Sequence, residues 1–255
     1  MLAQIVTIAR YTLLEALCNR LLWLVLLSVF LGLGFSLFLQ QIALIESRQI
    51  QLGALAVLYR LFAVFFLASF VIAGMLREYH DKGVEFFLAM PMTRSIYFFG
   101  KLLGYATASF LLATLYSLPL FWGNEMGSVL LWGISLFLEL LLMGSVSFFF
   151  AITLTQIPSA MAAVFGFYLL SRSMGTLSLI MNGPLAAHDF MQEIVDMTIS
   201  GVGFFIPRLD GYTQTSWLIY PGSSWHELLP VALQTAIYMT LVSSAALFDF
   251  CRKNL

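Results

Sequence analysis

Apolar residues fill this chain in long runs, and most polar residues fall between those runs. The first 20 residues depart from this pattern. Gln4, Thr7, Tyr11, Glu15 and Asn19 recur at helical spacing along one side, and Leu2, Ile5, Ala9, Leu13 and Leu17 along another. That periodicity predicts an amphipathic helix lying in a membrane interface, with an extension of the first span as the plainer alternative. Leu21–Leu39 is nearly unbroken apolar sequence, long enough to cross about 30 Å of hydrocarbon at 1.5 Å per residue. It reads as an uncleaved span, because a signal peptide has a shorter core and a small-residue cleavage site. Further spans are predicted at 53–76, 96–121, 128–154, 159–181 and 228–250. The connections are a polar loop over 40–51, a charged stretch over 77–95, a short loop over 122–127, a tight turn at Pro158 and a long segment over 182–227. The pattern predicts an all-α membrane protein with one domain over 1–255 and six transmembrane helices.

Composition agrees. The chain has 255 residues, 61% of them hydrophobic and 10% charged, against about 25% charged in a typical soluble domain. The net charge of −1 leaves no electrostatic footprint for nucleic acid. Cys18 and Cys251 lie near opposite ends of the chain and make no disulfide framework. The basic residues set the orientation. With the N-terminus inside, Arg10, Arg20, Arg77, Lys82, Arg94, Lys101, Arg252 and Lys253 are cytoplasmic, and only Arg48 and Arg208 are outside. Both termini and the charged stretch are therefore expected in the cytoplasm, and 182–227 outside. Within that external segment, 186–206 suggests a short helix or re-entrant pair, with Phe190, Ile194 and Met197 on one face. Trp217, Tyr220 and Trp225 resemble interface anchors.

Most catalytic patterns are missing from the sequence. The only Gly-Lys pair, Gly100-Lys101, has Ser95 five positions before Gly100, where a phosphate-binding loop has glycine, and Leu102 where it needs serine or threonine. His80, His188 and His226 lie in separate connections, outside any His-Glu-x-x-His pattern, and no metal site is expected. The chain is read as no enzyme, with no cofactor of its own. Three ionisable groups fall inside predicted spans, where each is costly and needs a reason: Arg60, Glu139 and Arg172. Glu139 lies 19 residues before Pro158 and Arg172 14 after it, so antiparallel spans place them about 7 Å apart in depth. A structural ion pair is the favoured reading, and a substrate-contacting or gating pair the alternative. Gly100, Gly104 and Ala108 sit four apart and permit close approach of another helix.

The charged stretch reads EYHDKGVEFFLAMPMTRSIYFFGK from Glu78 to Lys101. Residues 78–90 suit a short amphipathic helix. Phe86, Phe87 and Met90 are available to bury, Glu78, Asp81, Lys82 and Glu85 are available to a partner, and Gly83 marks a bend or close contact. Pro91 ends the helix, Thr93 or Ser95 caps the next, and Arg94 and Lys101 stay near the headgroups. This run resembles the type-2 export permeases of ATP-binding cassette transporters. Their pattern has a Glu, then Gly-Thr-x-Glu, apolar residues, Pro-apolar-Ser/Thr-Arg, an aromatic and Gly-Lys; Val84 stands here in place of the threonine. The layout of the whole chain and the external LDGYTQTSWLIY segment are also similar to that family.

The resemblance implies a permease subunit that moves a substrate outward across a bacterial inner membrane. It implies an N-terminal interface helix, a cytoplasmic coupling helix between spans two and three, and an external helical segment between spans five and six. ATP and magnesium would be bound by two copies of a separate ATP-binding subunit, and a second permease copy or a homologue would complete the assembly among membrane lipids. The coupling contacts would be Glu78, Lys82, Gly83, Glu85, Phe86 and Phe87, with Pro91, Arg94 and Lys101 leading into the third span. A lipid, a lipid-linked glycan or a hydrophobic compound suits the aromatic, weakly charged interior as cargo. Two other classes stay open on the residues alone: an ion-gradient-driven secondary transporter or channel, and a non-transporting membrane scaffold.

Overall fold

A computed structural model describes residues 2–18, 21–42, 47–81, 93–122, 124–181, 201, 203, 206–219 and 225–252. The described residues are helical, with short turns and no strand. Helix α1 covers Leu2–Cys18, α2 Leu21–Ile42, α3 Ser47–His80, α4 Arg94–Ser117, α5 Met126–Thr153 and α6 Ile157–Met181. A short helix α7 covers Ser216–Ile219, and α8 covers Leu228–Arg252. Three 3-10 turns add Leu118–Phe121, Leu209–Gly211 and Trp225–Glu227.

Among the described residues, five helices are long and apolar enough to cross a membrane: α2, α3, α4 with its following turn, α5, and α8 with its preceding turn. The predicted fifth span is present as α6, 25 residues long, but falls outside that group. Ser171, Arg172 and Ser173 interrupt its apolar run. Its second residue is Pro158, whose missing N–H costs nothing in a first turn, so α6 follows α5 after only 154–156. The helices also run further than the apolar pattern suggested. α2 continues to Ile42 and α3 starts at Ser47, so most of the expected 40–51 loop is helix. α3 has 34 residues, about 51 Å at 1.5 Å per residue.

Consecutive long helices from α2 to α6 pack as antiparallel neighbours, and α3, α4 and α5 form the buried centre. Ser28 Oγ of α2 meets the Tyr116 hydroxyl of α4 at 2.7 Å, and the Tyr59 hydroxyl of α3 donates to the Val29 carbonyl at 3.0 Å. At the other end of α4, the Phe98 ring lies 5.1 Å from Phe148 of α5. Tyr97 stacks on Phe250 of α8 at 5.9 Å, and Thr153 donates to Asp249 at 3.1 Å. These contacts bring the ends of α5 and α8 and the start of α4 together. Lipid tails are as apolar as leucine, so close steric fit and internal hydrogen bonds hold such helices together.

The small-residue stripe of α4 shows this directly. A Cβ on Gly100 would lie 2.8 Å from Ile8 Cβ, and one on Gly104 2.6 Å from Thr12 Cβ. The partner helix is α1, which buries Ala9, Thr12 and Ala16. Residue numbers rise together along both helices, so α1 runs parallel to α4. α2 then continues in the same direction to reach Tyr116.

Candidate functional site

Two polar clusters sit inside this apolar bundle. The first gathers Arg60 of α3, Ser135 and Glu139 of α5, and Tyr168 and Arg172 of α6 around the turn 209–213. Glu139 is fully buried. Its Oε1 lies 3.8 Å from Arg172 Nη1, and its Oε2 accepts a hydrogen bond from Thr213 Oγ1 at 2.8 Å. The ion pair expected across the α5–α6 turn therefore forms. It is long, and Oε1 has no hydrogen-bond partner of normal geometry. The Tyr168 hydroxyl lies within electrostatic reach of the same carboxylate.

Arg172 spends its hydrogen bonds on the turn. Nη1 donates to the carbonyls of Leu209 and Tyr212, the latter at 3.1 Å. Arg60, 8% exposed, also points inward, and its Nη1 reaches the Thr213 carbonyl and Oγ1, each at 3.4 Å. The partner that meets its charge is a backbone turn. The sequence did not single out Thr213, the residue at the centre. It is 1% exposed and has φ 44°, left-handed backbone that β-branched residues avoid. Its N–H donates to Ser135 Oγ at 3.0 Å. Four hydrogen bonds thus hold one strained residue, and such strain persists only where the surroundings enforce it.

Neighbouring residues fix the turn. The Tyr212 hydroxyl donates to the Val231 carbonyl at 3.1 Å and shares a hydrogen bond with Thr235 Oγ1 at 2.8 Å, both on α8. Asp210 lies over Gly175, where a Cβ would come within 2.1 Å of its Oδ2, so only glycine lets the turn sit this close to α6. Trp217, expected as an interface anchor, is instead 3% exposed and hydrogen-bonded through Nε1 to Glu227. Trp225 is exposed, and Tyr220 and 182–200 lie outside the described residues.

The second cluster is at the opposite end of the bundle. Glu78 was expected to begin a separate helix and face a partner. It lies instead in the last turn of α3, because Met75, Leu76 and Tyr79 continue that helix's inward face past the first charges. Its carboxylate turns inward and takes hydrogen bonds from Lys101 Nζ and the Tyr97 hydroxyl. Lys101, placed near the headgroups by its charge, is 5% exposed, which a paired ammonium tolerates and a lone one does not. Arg94 stays at the surface and donates to the Cys251 carbonyl at 3.1 Å. Thr93 occupies the N-cap position of α4 without a side-chain cap. Lys82, Gly83, Glu85, Phe86, Phe87 and Pro91 lie outside the described residues.

The bundle also has cavities among its described residues. One of about 270 Å³ opens between α4 and α5 at Phe110, Ile134 and Phe137. Another of about 720 Å³ lies between the α2–α3 hairpin and the 118–121 turn, with Arg48 and Gln51 among its lining residues. No group of three or more metal-ligating side chains occurs among the described residues. No protein-family model and no curated protein matches the chain.

Proposed function

We propose that this chain is the membrane-spanning permease subunit of an ATP-binding cassette exporter, with ATP hydrolysed by a separate subunit. One observation carries the reading: the ion pair of Glu78 and Lys101, with Tyr97 on the same carboxylate. It ties the end of α3 to the start of α4, and so closes the base of the stretch whose residues resemble a permease coupling element. A load applied to 82–92 is then passed to two central helices at once. Motion in a partner is useful only if it reaches elements with two arrangements. The sequence supplies the complementary reason, since it has no phosphate-binding loop and energy must arrive from another chain.

In this reading the chain has six spans, both termini and 77–95 face the cytoplasm of a bacterial inner membrane, and 182–227 faces outward. Gly83 and Glu85, with Phe86 and Phe87, contact the ATP-binding subunit, while Glu78 braces the element from inside. Two permease chains and two ATP-binding subunits complete the assembly. The test is co-purification with an ATP-binding subunit followed by reconstitution into liposomes. The permease is expected to stimulate ATP hydrolysis. Gly83→Pro and Glu85→Ala are expected to keep the complex folded while separating hydrolysis from transport. A stable particle with no ATP-binding partner, or unchanged coupling in both variants, sinks the reading.

A further inference from the structure

Two guanidinium groups and one carboxylate lie in the same buried cluster, and among the described residues only Arg172 pairs with Glu139. Arg60 makes no ion pair among the described residues, and its buried Nε has no hydrogen-bond partner. Its contacts with Thr213, both at 3.4 Å, stand near the limit of a hydrogen bond. Arg172 reaches Glu139 only at 3.8 Å. Each guanidinium offers five donors in a planar fork suited to the paired oxygens of a carboxylate or phosphate. Here the forks receive the carbonyls of Leu209, Tyr212 and Thr213 and one hydroxyl. These neutral oxygens stand where the oxygens of an anion would bind more strongly.

The turn supplying them carries backbone strain that its withdrawal would relieve. Thr213 is held in left-handed backbone, which costs energy for a β-branched residue. Asp210 puts a second carboxylate beside the cluster, over Gly175. If the turn withdraws, Asp210 goes with it. Arg60, Arg172 and Glu139 stay on their helices and leave a net charge of +1, from two cations and one anion.

We propose that Arg60 and Arg172 form a binding site for a phosphate-type oxyanion, and that the 209–213 turn is its displaceable cap. Glu139 keeps Arg172 oriented in both states, and Arg60 supplies the unspent donors. As the cargo site of the exporter, it restricts the substrate to molecules with an anionic head. That role rests on the transport reading; the binding itself does not.

The experiment uses the full chain in nanodiscs of neutral phosphatidylcholine, without any ATP-binding subunit, and follows amide hydrogen exchange across 209–219. In one arm inorganic phosphate is titrated. In the other, phosphatidylglycerol replaces part of the lipid. Exchange at 209–213 is expected to rise saturably in at least one arm. A response to phosphate identifies a water-soluble anion, and a response to phosphatidylglycerol alone identifies a lipid head group. Gly175→Ala crowds the cap by pressing a methyl group on Asp210 while leaving Arg60 and Arg172 in place, and half-saturation is expected at about tenfold lower anion. Arg60→Gln is expected to abolish the response. Should it fail to fold, Arg60→Lys keeps the charge but loses the fork, and about tenfold weaker binding is expected. The site is disproved if neither arm alters exchange, or if the Arg60 variants respond as the parent chain does. An unresponsive turn in a chain that still stimulates its ATP-binding subunit removes the site and leaves the transport reading standing.

Discussion

Glu139 shows what a single buried charge asks of its surroundings. Its carboxylate is met by Arg172 and by the Thr213 hydroxyl, and Arg60 contacts the same Thr213. Removing one partner of a buried pair costs more than the pair is worth, because the other charge stays behind. Glu139→Leu is therefore expected to destabilise the protein by about 3 kcal/mol. Glu139→Leu with Arg172→Leu is expected to recover more than half of that loss, as read by thermal unfolding in detergent. Purely additive losses would mean that the two side chains are not coupled. Glu78 makes the same demand at the other end. Glu78→Gln leaves the Lys101 ammonium without a counter-charge and is expected to cost about 2–3 kcal/mol. Tyr97→Phe removes one hydrogen bond, with an expected cost near 1 kcal/mol. Equal melting temperatures for Glu78→Gln and the parent chain would argue against the inward pair. The Glu139–Arg172 pairing was legible, because a tight turn fixes the depth of both residues. Glu78 with Lys101 was not, because a charged residue beside a loop gives no sign of which way it turns.

At the scale of elements, the tightest joint is α1 on α4. Gly104 has Thr12 against it and Gly100 has Ile8, at distances that leave no room for a methyl group. Overpacking at such a joint costs about 1–3 kcal/mol. Gly104→Leu is expected to lift α1 from the bundle and speed trypsin cleavage after the exposed Arg10. Gly34→Ala in α2 is the control. Nothing lies within 4 Å of its Cβ position, so cleavage there is expected to match the parent chain. Equal cleavage in Gly104→Leu would show that the joint yields at no cost. The four-residue spacing announced a close approach but not its partner. Any helix with small residues at matching positions satisfies it, and α1 was selected by contacts that no local pattern encodes.

At the scale of the whole molecule, several long apolar helices make this chain compatible with a multi-pass membrane protein. The proposed orientation has a direct test. Cys18 and Cys251 are both exposed, and Cys251 lies beside Arg94 at the end that gathers Glu78, Lys101 and Arg252. In cells, a membrane-impermeant maleimide is expected to spare Cys251 and to label a cysteine introduced at Trp122, which is 94% exposed. Inverted vesicles are expected to give the opposite result. Labelling of Cys251 in intact cells would reverse the topology.

The sequence by itself determined the helices. An apolar run of this length has one stable form in lipid, because each backbone polar group must be satisfied within its own segment. Residue type and order are enough to say that, and they place most helix ends within a few residues. Span length was less well determined, since polar residues such as Arg48 and Glu78 do not end a helix that its own hydrogen bonds continue. Beyond the Glu139–Arg172 pair, only the tertiary structure decided which side chains meet. Thr213 stood inside the LDGYTQTSWLIY segment with no feature that marked it out from its neighbours. It acquires its role because α3, α5 and α6 each aim a polar group at one point, and because Gly175 leaves room for a distant turn to reach it. Local propensity sets the rods; the choice of partner comes from steric fit and charge matching between residues far apart in sequence.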